Sequence, residues 1–282
     1  MSASALISLL TLLAILVAVV FRVGFWPRIR LQRIRAEAFP PSWLEIVNRR
    51  LPFFRNMPQP MRKQLLDLIK IFLHDKRFVG CAGQQIDDEI RLTVAAQACL
   101  LLLNRETDYY QILDSVLVYP STFVVTREVR DELGLVSTGH SALLGESWNQ
   151  GKVVLAWDSV EKGVRNLHDG HNVVLHEFAH QLDHASGASN GAPLLNTRGA
   201  YKSWALVLSR EFEELQRDAK SGRVSLLDHY GATNPAEFFA VATETFFERP
   251  EQMRAEHREL YVELAGFYQV DPAAWLSGGA AD

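Results

Sequence analysis

The sequence predicts an α+β chain: a mainly helical domain with a small sheet, preceded by one N-terminal transmembrane helix. Three observations predict it. Residues 1–21 carry no charged side chain, and as a helix they reach across a hydrocarbon layer, which needs roughly 20 residues. Several later stretches repeat apolar residues at helical spacing. Between them lie short β-branched and aromatic runs, at 116–120, 123–125 and 152–157, of the kind that suits strands.

Composition narrows the classes. The chain has 282 residues, 48% hydrophobic and 22% charged, which is a globular balance with ample material for a core. Its formal net charge of -4 argues against direct nucleic-acid binding, which asks for a strongly basic surface. Cys81 and Cys99 are the only cysteines. They lack Cys-x-x-Cys spacing and read as buried, reduced thiols in helical surroundings.

The order of charge around the N-terminal run sets its expected topology. Phe25 and Trp26 follow it as an interfacial pair, and Arg22, Arg28, Arg30, Arg33 and Arg35 lie on its C-terminal side. A secretory signal has the opposite order, with basic residues first. Residues 1–26 are therefore expected to be an uncleaved single-pass anchor in the cell inner membrane. Residues 27–41 form a basic juxtamembrane linker, and the downstream domain is cytoplasmic. The plain alternative is a buried first helix.

The soluble domain is expected over 42–275, with a frayed tail at 276–282. It opens with a short helix at 42–50. Amphipathic helices follow at 61–74 and 87–104, with 78–84 as strand or loop between them. A Gly/Ser/Thr-containing connection is expected at 134–145. Then come Gly145-Glu146-Ser147-Trp148, a turn at Asn149-Gln150-Gly151, and the clearest strand, 152–157. An edge strand here would suit an extended substrate; an ordinary core strand fits nearly as well. Further helices are expected at 201–220, 235–248 and 256–268.

The chemistry gathers at Val173-Val174-Leu175-His176-Glu177-Phe178-Ala179-His180-Gln181-Leu182-Asp183. On a helix, residues four apart share a face, so His176 and His180 can direct two imidazoles at one metal ion. Glu177 stands beside them as a general base for a metal-activated water. A third ligand must come from elsewhere. His184 lies a further turn along, too far from a metal held between the first two. Ser186 occupies the position where a metzincin would place its third histidine. A glutamate from a following helix remains, and Glu237 and Glu244 are the candidates. Glu237 could instead close a capping box behind Asn234 and Pro235, and Glu244 could hold a histidine by its second nitrogen. Asp183 could orient a ligand or be solvated surface.

From about residue 118 to 247 the chain resembles the Mlc titration factor A family of zinc peptidases. The similar segments are Gly145-Glu146-Ser147-Trp148, Val153-Val154-Leu155-Ala156-Trp157, the run from Asp169 to Asp183, and Asn234-Pro235-Ala236-Glu237-Phe238-Phe239-Ala240-Val241. The resemblance, shared with the catalytic domain of anthrax lethal factor, implies a zincin-like metallopeptidase domain and one Zn2+ per chain. It implies Glu237 as third ligand beside His176 and His180, and Tyr230, seven residues earlier, as a catalytic tyrosine that stabilises the oxyanion. It further implies aminopeptidase-type activity on a peptide or protein substrate. The family's name comes from sequestering a transcriptional repressor, so a membrane-tethered regulator that binds such a repressor is the alternative. The ligands alone also suit a non-peptide zinc hydrolase. The N-terminal anchor is a departure from the family's soluble members.

Overall fold

A computed structural model describes residues 3–105, 110–121, 123–130, 136–143, 145–148 and 151–276. The chain divides into two compact units, Met1–Pro40 and Pro41–Asp282.

The first unit is helical. Helix α1 (Ala3–Val20) passes through a π-helical turn (Phe21–Phe25) into α2 (Trp26–Ala36). The stretch Leu10–Ala36 is long and apolar enough to cross a membrane. The basic segment expected as a linker is thus helical as far as Ala36. Pro27 sits in the first turn of α2, where a missing amide hydrogen breaks no helical bond. Arginine is a good helix former, and Arg33 and Arg35 lie in the last turn, where positive charge complements the helix dipole.

The second unit begins with α3 (Pro41–Arg50), a 3-10 turn (Pro52–Asn56) and α4 (Gln59–Asp75). Strand β1 (Arg77–Gly80) leads to α5 (Asp88–Leu100), which Asp87 caps by accepting the Ile90 amide. Then come β2 (Ser115–Tyr119), β3 (Phe123–Arg130), β4 (Val136–Leu143), β5 (Gly145–Trp148) and β6 (Lys152–Ala156). Helices α6 (Trp157–Arg165), α7 (Val173–His184), α8 (Arg198–Ser221) and α9 (Pro235–Glu248) follow. Helices α10 (Pro250–Glu256), α11 (Arg258–Tyr268) and α12 (Ala273–Leu276) complete the unit.

The main sheet has the order β1-β2-β6-β5. Its first three strands are parallel, with Val116 opposite Phe78 on one side and Val153 on the other. Strand β5 runs antiparallel at the edge, Glu146 against Val154. It packs beside α7, as does β6, so the two expected strands do stand next to the helix of the motif, while residues 149 and 150 of the expected turn lie outside the described residues. Gly151, just before β6, has φ +73, and a Cβ there would lie 2.4 Å from the Ile112 carbonyl oxygen. Only glycine meets both demands.

Three expectations need correction. Residues 136–143 are not a connection but a strand, paired with β3 from Val136 opposite Arg130 to Leu143 opposite Phe123. Trp157 starts α6 and does not end β6, and α6 itself was not expected. Cys99 is buried in α5 as expected, but Cys81 is half-buried and follows β1.

The core forms around α7, which packs against α9, α5, β5 and β6. Phe178 of α7 packs against Phe72 and Tyr110, with ring centroids 5.7 and 5.1 Å apart. Every residue of α9 from Phe238 to Glu248 is buried. A helix so enclosed needs an apolar sequence on all sides, which makes its three glutamates conspicuous.

Candidate metal centre

Helix α7 is started by Asn172, whose side-chain oxygen accepts the Leu175 amide at 3.1 Å. The helix then stacks His176 and His180 one turn apart. Their ring centroids are 4.8 Å apart and their planes nearly perpendicular, at 78°. The two Nε2 atoms approach to 3.2 Å.

Helix α9 brings the carboxylate. Asn234 caps it, accepting the amides of Ala236 and Glu237 at 3.0 Å each, and Pro235 occupies its first turn. The sequence therefore forces α9 to begin just before Glu237. Oε2 of Glu237 lies 3.0 Å from Nε2 of His176 and 3.4 Å from Nε2 of His180. One ligand atom from each of these three residues falls within 4.8 Å of the others. Glu237 thus turns to the histidines and not into a capping box.

Glu244 takes a different place from Glu237. Its Oε1 lies 2.7 Å from Nδ1 of His176, and its Oε2 accepts the backbone amide of Asn172. The two glutamates left open by spacing are separated by geometry: Glu237 faces Nε2 of His176, and Glu244 faces Nδ1. Glu177 is buried. Tyr230 lies on a 3-10 turn (His229–Ala232) whose Asp228 accepts its amide at 2.6 Å. Its ring centroid is 6.0 Å from that of His176, and it is 56% exposed, so a bound molecule could reach it. His184 is turned away, with Nδ1 3.1 Å from the Ser189 hydroxyl. Asp183 is buried, not solvated, and Oδ2 accepts the Gly191 amide at 2.8 Å.

The electrostatics follow from this enclosure. Burial disfavours charge on His176, but Glu237 and Glu244 outweigh it and push its pKa up to about 10. Burial also disfavours charge on Glu237, but His176 and His180 outweigh it and pull its pKa down to about 2. Burial, then Glu237 and Glu177, push the Tyr230 hydroxyl upward, which keeps it a hydrogen-bond donor. Burial also raises Asp183.

The donor set fits a metal. When Nδ1 of His176 gives its hydrogen to Glu244, Nε2 carries a lone pair. That lone pair, the nearby Nε2 of His180 and a carboxylate oxygen converge on one small region. Two imidazoles and a carboxylate suit zinc in chemistry and number, leaving a fourth position open.

Two participants escaped sequence reasoning. Asn172, which no spacing argument singles out, donates its backbone N–H to Glu244 and its side-chain N–H to Glu248. Glu248 was read as a helix end. The available signal was its spacing, four residues after Glu244 on an otherwise apolar helix.

Comparison with known families decides the affiliation. A family profile described as glucose-regulated metallopeptidase M90 matches residues 26–269. The chain belongs to this family. Within the M90 resemblance, it is 38% identical over 264 residues to the protein called "Uncharacterized protein slr2042" of Synechocystis sp. (strain ATCC 27184 / PCC 6803 / Kazusa), covering 93% of this chain and 96% of that one. It is 32% identical over 238 residues to Mlc titration factor A of Yersinia pestis (strain Pestoides F), covering 83% of this chain and 86% of the relative. The same values hold for Mlc titration factor A of Yersinia pseudotuberculosis serotype O:1b (strain IP 31758). The M90 affiliation implies a metal ion, and the cluster of His176, His180 and Glu237 offers it a place.

Proposed function

We propose that this protein is a membrane-anchored zinc peptidase of aminopeptidase type, with a zincin-like domain over residues 42–275. The observation that carries the reading is the convergence of His176 Nε2, His180 Nε2 and Glu237 Oε2. These three residues would hold one Zn2+ per chain. Bound zinc supplies a Lewis acid that polarises the scissile carbonyl and acidifies water.

The remaining chemistry belongs to the chain. Glu177, adjacent to His176 on α7, takes a proton from the attacking water as the new C–O bond forms. It returns that proton to the leaving amine as the C–N bond breaks. The Tyr230 hydroxyl donates to the oxyanion, a contribution of about 10²–10³ in rate for one donor. Glu244 fixes the tautomer and the ring plane of His176.

The anchor reading extends to residues 1–26. Arg28, Arg30, Arg33 and Arg35 after the apolar run support a cytoplasmic catalytic domain by the positive-inside rule. Full-length protein in detergent tests the activity: zinc content is measured beside hydrolysis of amino-acid anilides and of intact proteins. Stoichiometric zinc with anilide turnover is expected. A zinc-loaded protein that cleaves neither substrate class would overturn the peptidase reading, and release by carbonate wash would overturn the anchor.

The name shared by the Yersinia relatives, Mlc titration factor A, favours a second reading. Here the domain binds and sequesters a transcriptional regulator at the membrane. A Glu177→Gln variant that stops cleavage but leaves the cellular phenotype intact would select that reading.

A further inference from the structure

We propose that Glu248 is a positioning residue of the metal centre, acting on His176 through the side chain of Asn172. This rests on the metal-centre reading above.

Helix α9 carries Glu237, Glu244 and Glu248, at intervals of seven and four residues, along one face. Glu248 is 3% exposed. Its hydrogen-bond donors are amides: the Gly170 N–H at 3.1 Å and the Asn172 side-chain N–H at 2.9 Å. Burying an acid without a cationic partner is costly, and placing it one turn from a second buried acid adds repulsion. Burial, reinforced by Glu244 and Asp169, outweighs the Asn172 and Gly170 donors and pushes Glu248 up to about 8. Packing alone would be served better by an apolar residue, as at Phe246 and Phe247.

What the acid gains is control of Asn172. The Asn172 amide nitrogen donates to Glu248, its side-chain oxygen accepts the Leu175 N–H, and its backbone N–H donates to Glu244. These bonds fix which way the amide faces. The Asn172 backbone carbonyl accepts the His176 backbone N–H at 2.9 Å, and Glu244, held by the Asn172 backbone N–H, lies 2.7 Å from Nδ1 of the His176 ring. Glu248 is therefore two hydrogen bonds from the His176 backbone, and three from its imidazole, through Asn172 and Glu244. A direct partner of a metal ligand, as Glu244 is to His176, is worth about 10–100-fold in metal affinity, and Glu248 acts through that partner's support.

The test exploits the polarity of the Asn172–Glu248 bond in full-length protein, above pH 8, where Glu248 is a carboxylate. Glu248→Gln alone sets an amide with one acceptor against two donors. Asn172→Asp alone keeps a cap for Leu175 but turns a carboxylate toward Glu248. The double change reverses the bond: the new amide donates to the new carboxylate, and its oxygen accepts the Gly170 N–H. Zinc affinity by chelator competition should fall about 10–100-fold in each single variant and return to within about threefold of wild type in the double. Glu211→Gln, at a buried acid paired with Arg210 and His257, controls for lost stability and should leave zinc affinity unchanged. A Glu248→Gln protein with wild-type zinc affinity would overturn the inference, as would a folded double variant that shows no rescue. If a single variant does not fold, the double decides. Wild-type protein that takes up no zinc would instead defeat the metal-centre reading itself.

Discussion

Nδ1 of His176 lies 2.7 Å from Oε1 of Glu244, while its Nε2 lies 3.0 Å from Oε2 of Glu237. One imidazole is thus held between two acids that come from the same helix, α9. Glu244 can accept a hydrogen from Nδ1, and Glu237 then faces the lone pair on Nε2. This asymmetry makes different predictions for the two glutamates.

Glu237→Ala removes a proposed ligand and should abolish tight zinc binding. Glu244→Ala leaves three ligands in place but frees the ring of His176, so affinity should fall about 10–100-fold. Chelator competition on both variants measures the difference. Equal losses would show that the two acids do not have distinct roles.

Glu177→Gln keeps the shape of α7 but cannot take up a proton. Zinc content should stay at the wild-type level while kcat falls by about 10²–10⁴. Metal analysis and anilide turnover on the same preparation check both halves. Unchanged turnover would remove Glu177 from proton transfer.

The parts that were legible in the sequence are those set by local rules. Periodicity gave α4, α5 and α8 within a few residues, and Asn234-Pro235 marks where α9 begins. Helix α6 was hidden because Gly163 lowers helix propensity. The structure supplies the reason for that glycine: a Cβ there would lie 3.1 Å from the His171 carbonyl oxygen. Strand β4 was hidden because Ser137-Thr138-Gly139-His140-Ser141 has little strand character of its own, and its pairing with β3 decides. Within the site, the spacing of Glu237, Glu244 and Glu248 could be read. Which imidazole nitrogen each approaches could not, because that depends on how α7 crosses α9.

Away from the metal centre, Glu211 and His257 give a pH prediction. They lie 2.7 Å apart. Burial opposes the Glu211 carboxylate, but His257 and Arg210 outweigh it and hold it below its ordinary 4.5. Glu211 holds His257 above its ordinary 6.5 against the effect of burial. The depressed acid stabilises above 4.5 and loses that contribution as pH falls through its folded value. The raised histidine stabilises below 6.5 and loses its contribution as pH rises through its folded value. The pair should therefore contribute most between 4.5 and 6.5. The gap in Tm between wild type and His257→Gln should peak in that window and narrow on either side. A gap that does not vary with pH would show that the pair adds no ionic stability.

Gly191 joins the loop after α7 to the start of α9. Its N–H donates to buried Asp183 and its carbonyl accepts the Trp204 indole N–H at 2.9 Å. It has φ +75, and a Cβ would lie 2.3 Å from the Pro235 carbonyl oxygen. Gly191→Ala therefore meets two separate obstacles, a left-handed backbone and a collision. The first costs roughly 1 kcal/mol. The second must displace Pro235, two residues before Glu237, or the loop itself. Gly187→Ala isolates the first obstacle, because Gly187 has φ +88 but open space around its Cβ position. Urea unfolding should show both variants destabilised, Gly191→Ala the more. Zinc affinity should fall only in Gly191→Ala, because only there does the substitution press on the helix that carries the third donor. Equal zinc affinity in the two variants would mean that the loop yields to the added methyl and α9 does not move.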